Sequence, residues 1–132
     1  MIRNVWSVLC RDIITDQETN SVTYVRCIEE GSSSVMPVRI GPVFLGTLWE
    51  KSGADAETVQ FRVMLVSPGK TRQPVLQTRP LVLDRPRHRL HFRVNALNLT
   101  EFGTYMLSVE FSVNEKWETG ARLPMLIRET ER

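Results

Sequence analysis

The sequence predicts an all-β protein, a two-sheet antiparallel β-sandwich of about 7–9 strands with little or no helix. Three observations predict it. Apolar residues recur at every second position along several runs, as in Tyr105, Leu107, Val109, Phe111 and Val113. Turn-forming residues break those runs at short intervals. No stretch carries a helical repeat of useful length, since Gly53–Glu57 is too short and Asn95–Thr100 has room for a single turn.

Taken in order, the first expected strand is Val5–Ile14. Asp16 to Asn20 is rich in turn formers and leads into Val22–Ile28. Gly31-Ser32-Ser33-Ser34 reads as a flexible loop. Val35–Trp49 reads as an interrupted strand, divided by Gly41-Pro42. Val59–Val66 sets Val59, Phe61, Val63 and Leu65 opposite Gln60 and Arg62, and the Pro-Gly turn Ser67–Lys70 follows. After the weaker run Val75–Leu83, Asp84-Arg85-Pro86 makes a break. Arg87–Asn95 then sets Leu90, Phe92 and Val94 against Arg89, His91, Arg93 and Asn95. In Thr104–Val113 the polar set Thr104, Ser108, Glu110 and Ser112 is expected on the solvent face. Asn114-Glu115 closes a hairpin onto Trp117–Ile127. Pro37, Pro42, Pro74, Pro80 and Pro124 stand in or beside strands, so those stretches are expected at edges, strand starts or bulges.

The chain has 132 residues, 42% of them hydrophobic and 24% charged, which suits one ordered globular domain. The domain is expected over residues 1–128, with 129–132 as a frayed polar tail. No apolar run approaches the ~20 residues of a membrane-crossing helix. Arg3, Arg11 and Asp12 interrupt the beginning too early for a secretory leader, so a cytoplasmic location is expected.

Glu101-Phe102-Gly103-Thr104-Tyr105, at the head of an alternating run, resembles the tyrosine corner of immunoglobulin-like sandwiches. There an acid-x-Gly-x-Tyr turn opens the penultimate strand, and the tyrosine hydroxyl bonds to backbone upstream. The resemblance implies an immunoglobulin-like topology with structural roles for Gly103 and Tyr105. Leu107 stands where antibody domains carry a cysteine, so their inter-sheet disulfide is not expected. In layout the whole chain also looks like a group of small bacterial proteins with no assigned activity. The likeness is carried by Ile13-Ile14-Thr15-Asp16, then Ser21-Val22-Thr23-Tyr24, then the run from Phe61 to Gly69, and the late Gly-x-Tyr strand with its hairpin. No functional residues come with it.

Chemistry-bearing motifs are sparse. His88 and His91 stand at i and i+3, which on a strand points them to opposite faces, so no metal site is expected. The seven glycines are dispersed, so no phosphate cradle forms, and no Gly-x-Ser-x-Gly elbow occurs. An enzyme is not expected, nor a cofactor. Cys10 and Cys27 sit on consecutive strands and read either as small apolar residues in a reducing compartment or as a disulfide or redox pair.

Charge is the uneven feature. From Lys70 to Arg93 there are seven basic residues against the single acid Asp84, a net of +6. The rest of the chain holds ten basic and fourteen acidic residues, a net of −4, within an overall +2. Arg79, Arg87, Arg89, His91 and Arg93 are the candidate binding residues, the last four on one face of one strand. This predicts a non-enzymatic module that binds a protein partner, or a second copy, through edge strands or this basic face. Nucleic acid is disfavoured because no aromatic residue alternates with the arginines. A small-ligand or carbohydrate module using Trp6, Trp49 or Trp117 is the alternative.

Overall fold

The strongly alternating runs form strands, although Val113 lies past the end of its strand and is exposed, and several shorter strands are added. The structure, a computed structural model, describes residues 1–130. Among these are twelve strands and no helix. In order they are β1 (Ile2–Thr15), β2 (Val22–Cys27), β3 (Glu30–Ser33), β4 (Val38–Ile40), β5 (Val43–Lys51) and β6 (Glu57–Val66). Then come β7 (Arg72–Gln77), β8 (Leu81–Leu83), β9 (Arg87–Val94), β10 (Leu97–Leu99), β11 (Gly103–Ser112) and β12 (Trp117–Glu129).

The strands form three sheets. One has the order β2-β1-β5-β9, a second the order β3-β12-β11-β6-β7 with β8 also on β6, and the third is β10-β4. Among the described pairs only β3 with β12 is parallel. The inward residues of the two larger sheets share one core. Leu9, Val43, Leu45, Trp49, Phe92 and Val94 meet Val59, Phe61, Val63, Leu65, Leu107, Val109 and Phe111 there. Trp49 anchors it, with ring centroids 4.9 Å from Phe61 and 5.6 Å from Phe111. Its indole N–H donates to Thr47 Oγ1 at 2.8 Å, so the buried ring leaves no polar atom unpaired. Burying each large side chain of this kind stabilises by roughly 1.5–3 kcal/mol.

The structure corrects several expectations. Twelve strands replace the expected seven to nine. The run Val75–Leu83 divides into parts of β7 and β8, and β10 stands where a single turn was expected in Asn95–Thr100. β3, β4, β8 and β10 are three or four residues long, too short to show alternation. Gly31-Ser32-Ser33 is strand rather than loop, held by backbone pairing to β12. On the outer side of β11 Thr104 is exposed as expected, but Ser108, Glu110 and Ser112 are buried. As a central strand, β11 is covered by long side chains from β6 and β12, with Arg62 lying 4.1 Å over the Trp117 ring. β12 continues through Glu129, and Thr130 N donates to Ser33 O at 3.0 Å. Glu131 and Arg132 of the expected tail lie outside the described residues.

Candidate binding face

β9 ends the four-stranded sheet and is paired only to β5 on one side, which leaves its other edge open. Alternation buries Phe92 and Val94 and turns Arg87, Arg89, His91 and Arg93 outward, all exposed. Four of the expected site residues therefore stand on one face. Arg79 does not join them. It lies between β7 and β8, which pair with β6 in the other large sheet. Lys70 is likewise at the β6–β7 turn, and Arg72 is bound to Glu110 at 2.9 Å. The +6 of the sequence segment is thus divided between two sheets, because the chain crosses from one to the other after β8.

The row is only lightly neutralised. Arg87 faces Glu50 on β5 at 3.6 Å, and Glu50 also accepts from Arg3. That Arg3 hydrogen bond is the main cause holding the half-buried Glu50 carboxyl below its ordinary range, while partial desolvation opposes it. Arg89 Nη1 donates to Asn20 O at 3.0 Å, in the turn before β2. Among the described residues the Arg93 side chain makes no ion pair or hydrogen bond. An open cleft of about 550 Å³ lies at the Arg87 end. It is lined by Arg85, Arg87 and Arg89 with Asn20, Leu48 and His88, and Asp84 is its one acid.

Next to the row is a feature that reading along β9 alone misses. Tyr24 of β2 lies across Gly46 of β5, where an added Cβ would collide with its ring. The Tyr24 hydroxyl and His91 Nε2 are 3.0 Å apart, and their rings meet edge-on at 5.6 Å. Trp6 of β1 packs edge-on against Tyr24 at 5.3 Å and stays 37% exposed. Aromatic residues therefore do stand beside the row, at His91, supplied by β1 and β2 rather than by β9. The signal available in the sequence was Gly46 inside an apolar strand, a mark of close approach by another group.

This contact sets the charge of the row. Partial burial lowers the His91 pKa from its ordinary 6.5, and the Arg89 guanidinium lowers it further. His91 is then neutral at pH 7, and the row carries the three arginine charges. Burial raises the Tyr24 phenol, with Arg89 opposing, so it stays a neutral hydrogen-bonding group.

His88 turns to the opposite side from His91, where its Nε2 accepts from Arg85 N at 3.0 Å. No group of three or more His, Cys, Asp or Glu able to hold a metal occurs among the described residues. No helix among them is long and apolar enough to cross a membrane. No protein-family model matches the chain, and no curated protein is found to be similar to it.

Proposed function

We propose that the chain is a non-enzymatic binding module that takes an acidic, extended protein segment along β9. The observation behind this reading is an open strand edge whose outward face carries Arg87, Arg89 and Arg93, with Glu50 as the one acid paired to them. An added strand would gain main-chain hydrogen bonds from the edge, and acidic side chains at alternate positions would meet the arginines. Pairing of β9 with β9 of a second copy would set arginine against arginine, so an acidic partner is favoured over self-association through this edge.

The reading takes the fold as an immunoglobulin-like sandwich. Its support is one core shared by the two larger sheets and a tyrosine hydroxyl bonded to upstream backbone. A cytoplasmic, bacterial setting belongs to the same reading, supported by two free cysteines and by the likeness of layout. A small-ligand module is the second reading, favoured by the exposure of Trp6 beside Tyr24.

Calorimetric titration with a peptide of alternating Glu and Val, as long as β9, tests the proposal. Binding that weakens with added salt is expected. Arg89→Glu with Arg93→Glu should weaken it at least tenfold, about 1.4 kcal/mol. Equal affinity for a Lys–Val peptide, or no binding at low salt, would refute it. Carbohydrate binding quenching Trp6 would favour the second reading instead.

A further inference from the structure

The sequence leaves open whether Cys10 and Cys27 meet, and the fold brings them face to face. β1 and β2 pair antiparallel with Cys10 opposite Cys27. By the same register Leu9 is opposite Ile28, and Ile28 N donates to Leu9 O at 2.7 Å. In a regular antiparallel ladder hydrogen-bonded and non-hydrogen-bonded pairs alternate, which makes the cysteines a non-hydrogen-bonded pair. Arg26, beside Cys27, departs from regular strand geometry at φ 56°, while the register on either side of it is unchanged. Such pairs hold their Cα atoms about 4.5 Å apart with side chains drawn together. That distance is inside the ~4.4–6.8 Å a disulfide spans. Both thiols are free.

We propose that Cys10 and Cys27 are a redox pair that closes a reversible cross-strand disulfide on reaction with a small-molecule disulfide such as oxidised glutathione. The exposed Cys27 is the attacking thiol. It lines a cleft of about 540 Å³ that separates Leu9 and Ile28 from Leu123 and Pro124, which gives a small reagent room to approach. The Cys27 thiolate attacks one glutathione sulfur, the S–S bond of the reagent breaks, and one glutathione thiolate leaves and takes up a proton. Cys10 then loses its proton and attacks the Cys27 sulfur of the mixed disulfide. The second glutathione leaves and is protonated in turn. The two protein thiols are oxidised by two electrons, and one glutathione disulfide is reduced to two thiols.

Cys10 suits the second step and not the first. It is fully buried, and its Sγ donates to Phe44 O at 3.6 Å. Burial raises its pKa, and the nearby Cys27 adds to the rise, so little thiolate forms until the mixed disulfide is next to it. Cytosolic disulfides are mostly transient and redox-sensing, which is the role this pair fits. The crosslink would tie β2, an outer strand of its sheet, to β1, and β2 carries Tyr24 onto Gly46 and His91. The proposal stands on strand register and does not depend on what β9 binds.

The test is to incubate the reduced, folded chain with oxidised glutathione and digest it with trypsin without reductant. Mass spectrometry should show an intact mass lower by two hydrogens, with no glutathione attached. One peptide should join Asn4–Arg11 to Cys27–Arg39 and be split by dithiothreitol. The oxidised protein should unfold at a higher temperature than the reduced one. Cys10→Ser should stop at a glutathione adduct on Cys27, and Cys27→Ser should not react. A stable adduct on Cys27 of the unmutated chain, two thiols that stay free, or a disulfide between two chains would overturn the proposal.

Discussion

Tyr105 is almost wholly buried, and its hydroxyl serves three backbone groups. It accepts from Thr100 N at 3.1 Å and Glu101 N at 3.0 Å, and donates to Glu101 O at 2.7 Å. Tyr105→Phe keeps the ring but takes the partner from two backbone donors and one carbonyl, three part-buried hydrogen bonds, so it should cost about 1–3 kcal/mol of stability by urea unfolding. The motif Glu-x-Gly-x-Tyr was legible because it is local. The use of its acid was not. Glu101 Oε1 accepts from Gly69 N at 2.8 Å, a contact made 32 residues away in the chain. Gly103 has φ +129°, and a Cβ there would sit 2.9 Å from Pro68 Cγ, so the same distant turn also requires the glycine.

That turn shows what an element adds to its residues. Ser67-Pro68-Gly69-Lys70 reads as a Pro-Gly turn, and Lys70 N does donate to Ser67 O at 2.9 Å. The residue in the left-handed region is Lys70, at φ 71°, rather than Gly69. A side chain is strained there, so Lys70→Gly should stabilise the protein by about 0.5–1 kcal/mol, measured as a rise in the urea midpoint at constant slope. At the same scale β3 was illegible. Its residues Glu30-Gly31-Ser32-Ser33 have no apolar alternation, and it is a strand because its backbone pairs with the end of β12. Longer strands such as β6, β9 and β11 were legible because one buried face imposes period two on the sequence.

Across the whole molecule, Glu110 ties three strands of the six-stranded sheet together. Glu110 is 4% exposed, and its carboxylate accepts from Arg62 of β6 at 2.7 Å, Arg72 of β7 at 2.9 Å and Ser108 at 2.8 Å. Burial alone would raise its pKa, but these hydrogen bonds outweigh it and hold the group below its ordinary 4.5. A depressed carboxyl contributes stability that is complete above 4.5 and lost as pH falls through the folded value. Glu110→Gln should cost on the order of 3 kcal/mol at neutral pH, the low end for a buried pair because Arg72 is half in water. It should also flatten the acid limb of stability against pH, followed by urea unfolding from pH 7 downward. The sequence by itself determined the all-β class, the longer strands, the outward row Arg87, Arg89, His91 and Arg93 and the tyrosine motif, all of which follow from alternation or local turn chemistry. Only the tertiary structure decided that Lys70 and Arg79 stand with another sheet, apart from that row, that Tyr24 and Trp6 lie beside it, that Glu110 is buried, and that Cys10 faces Cys27. Those facts depend on which strands become neighbours, and the period of a single strand does not encode its neighbours.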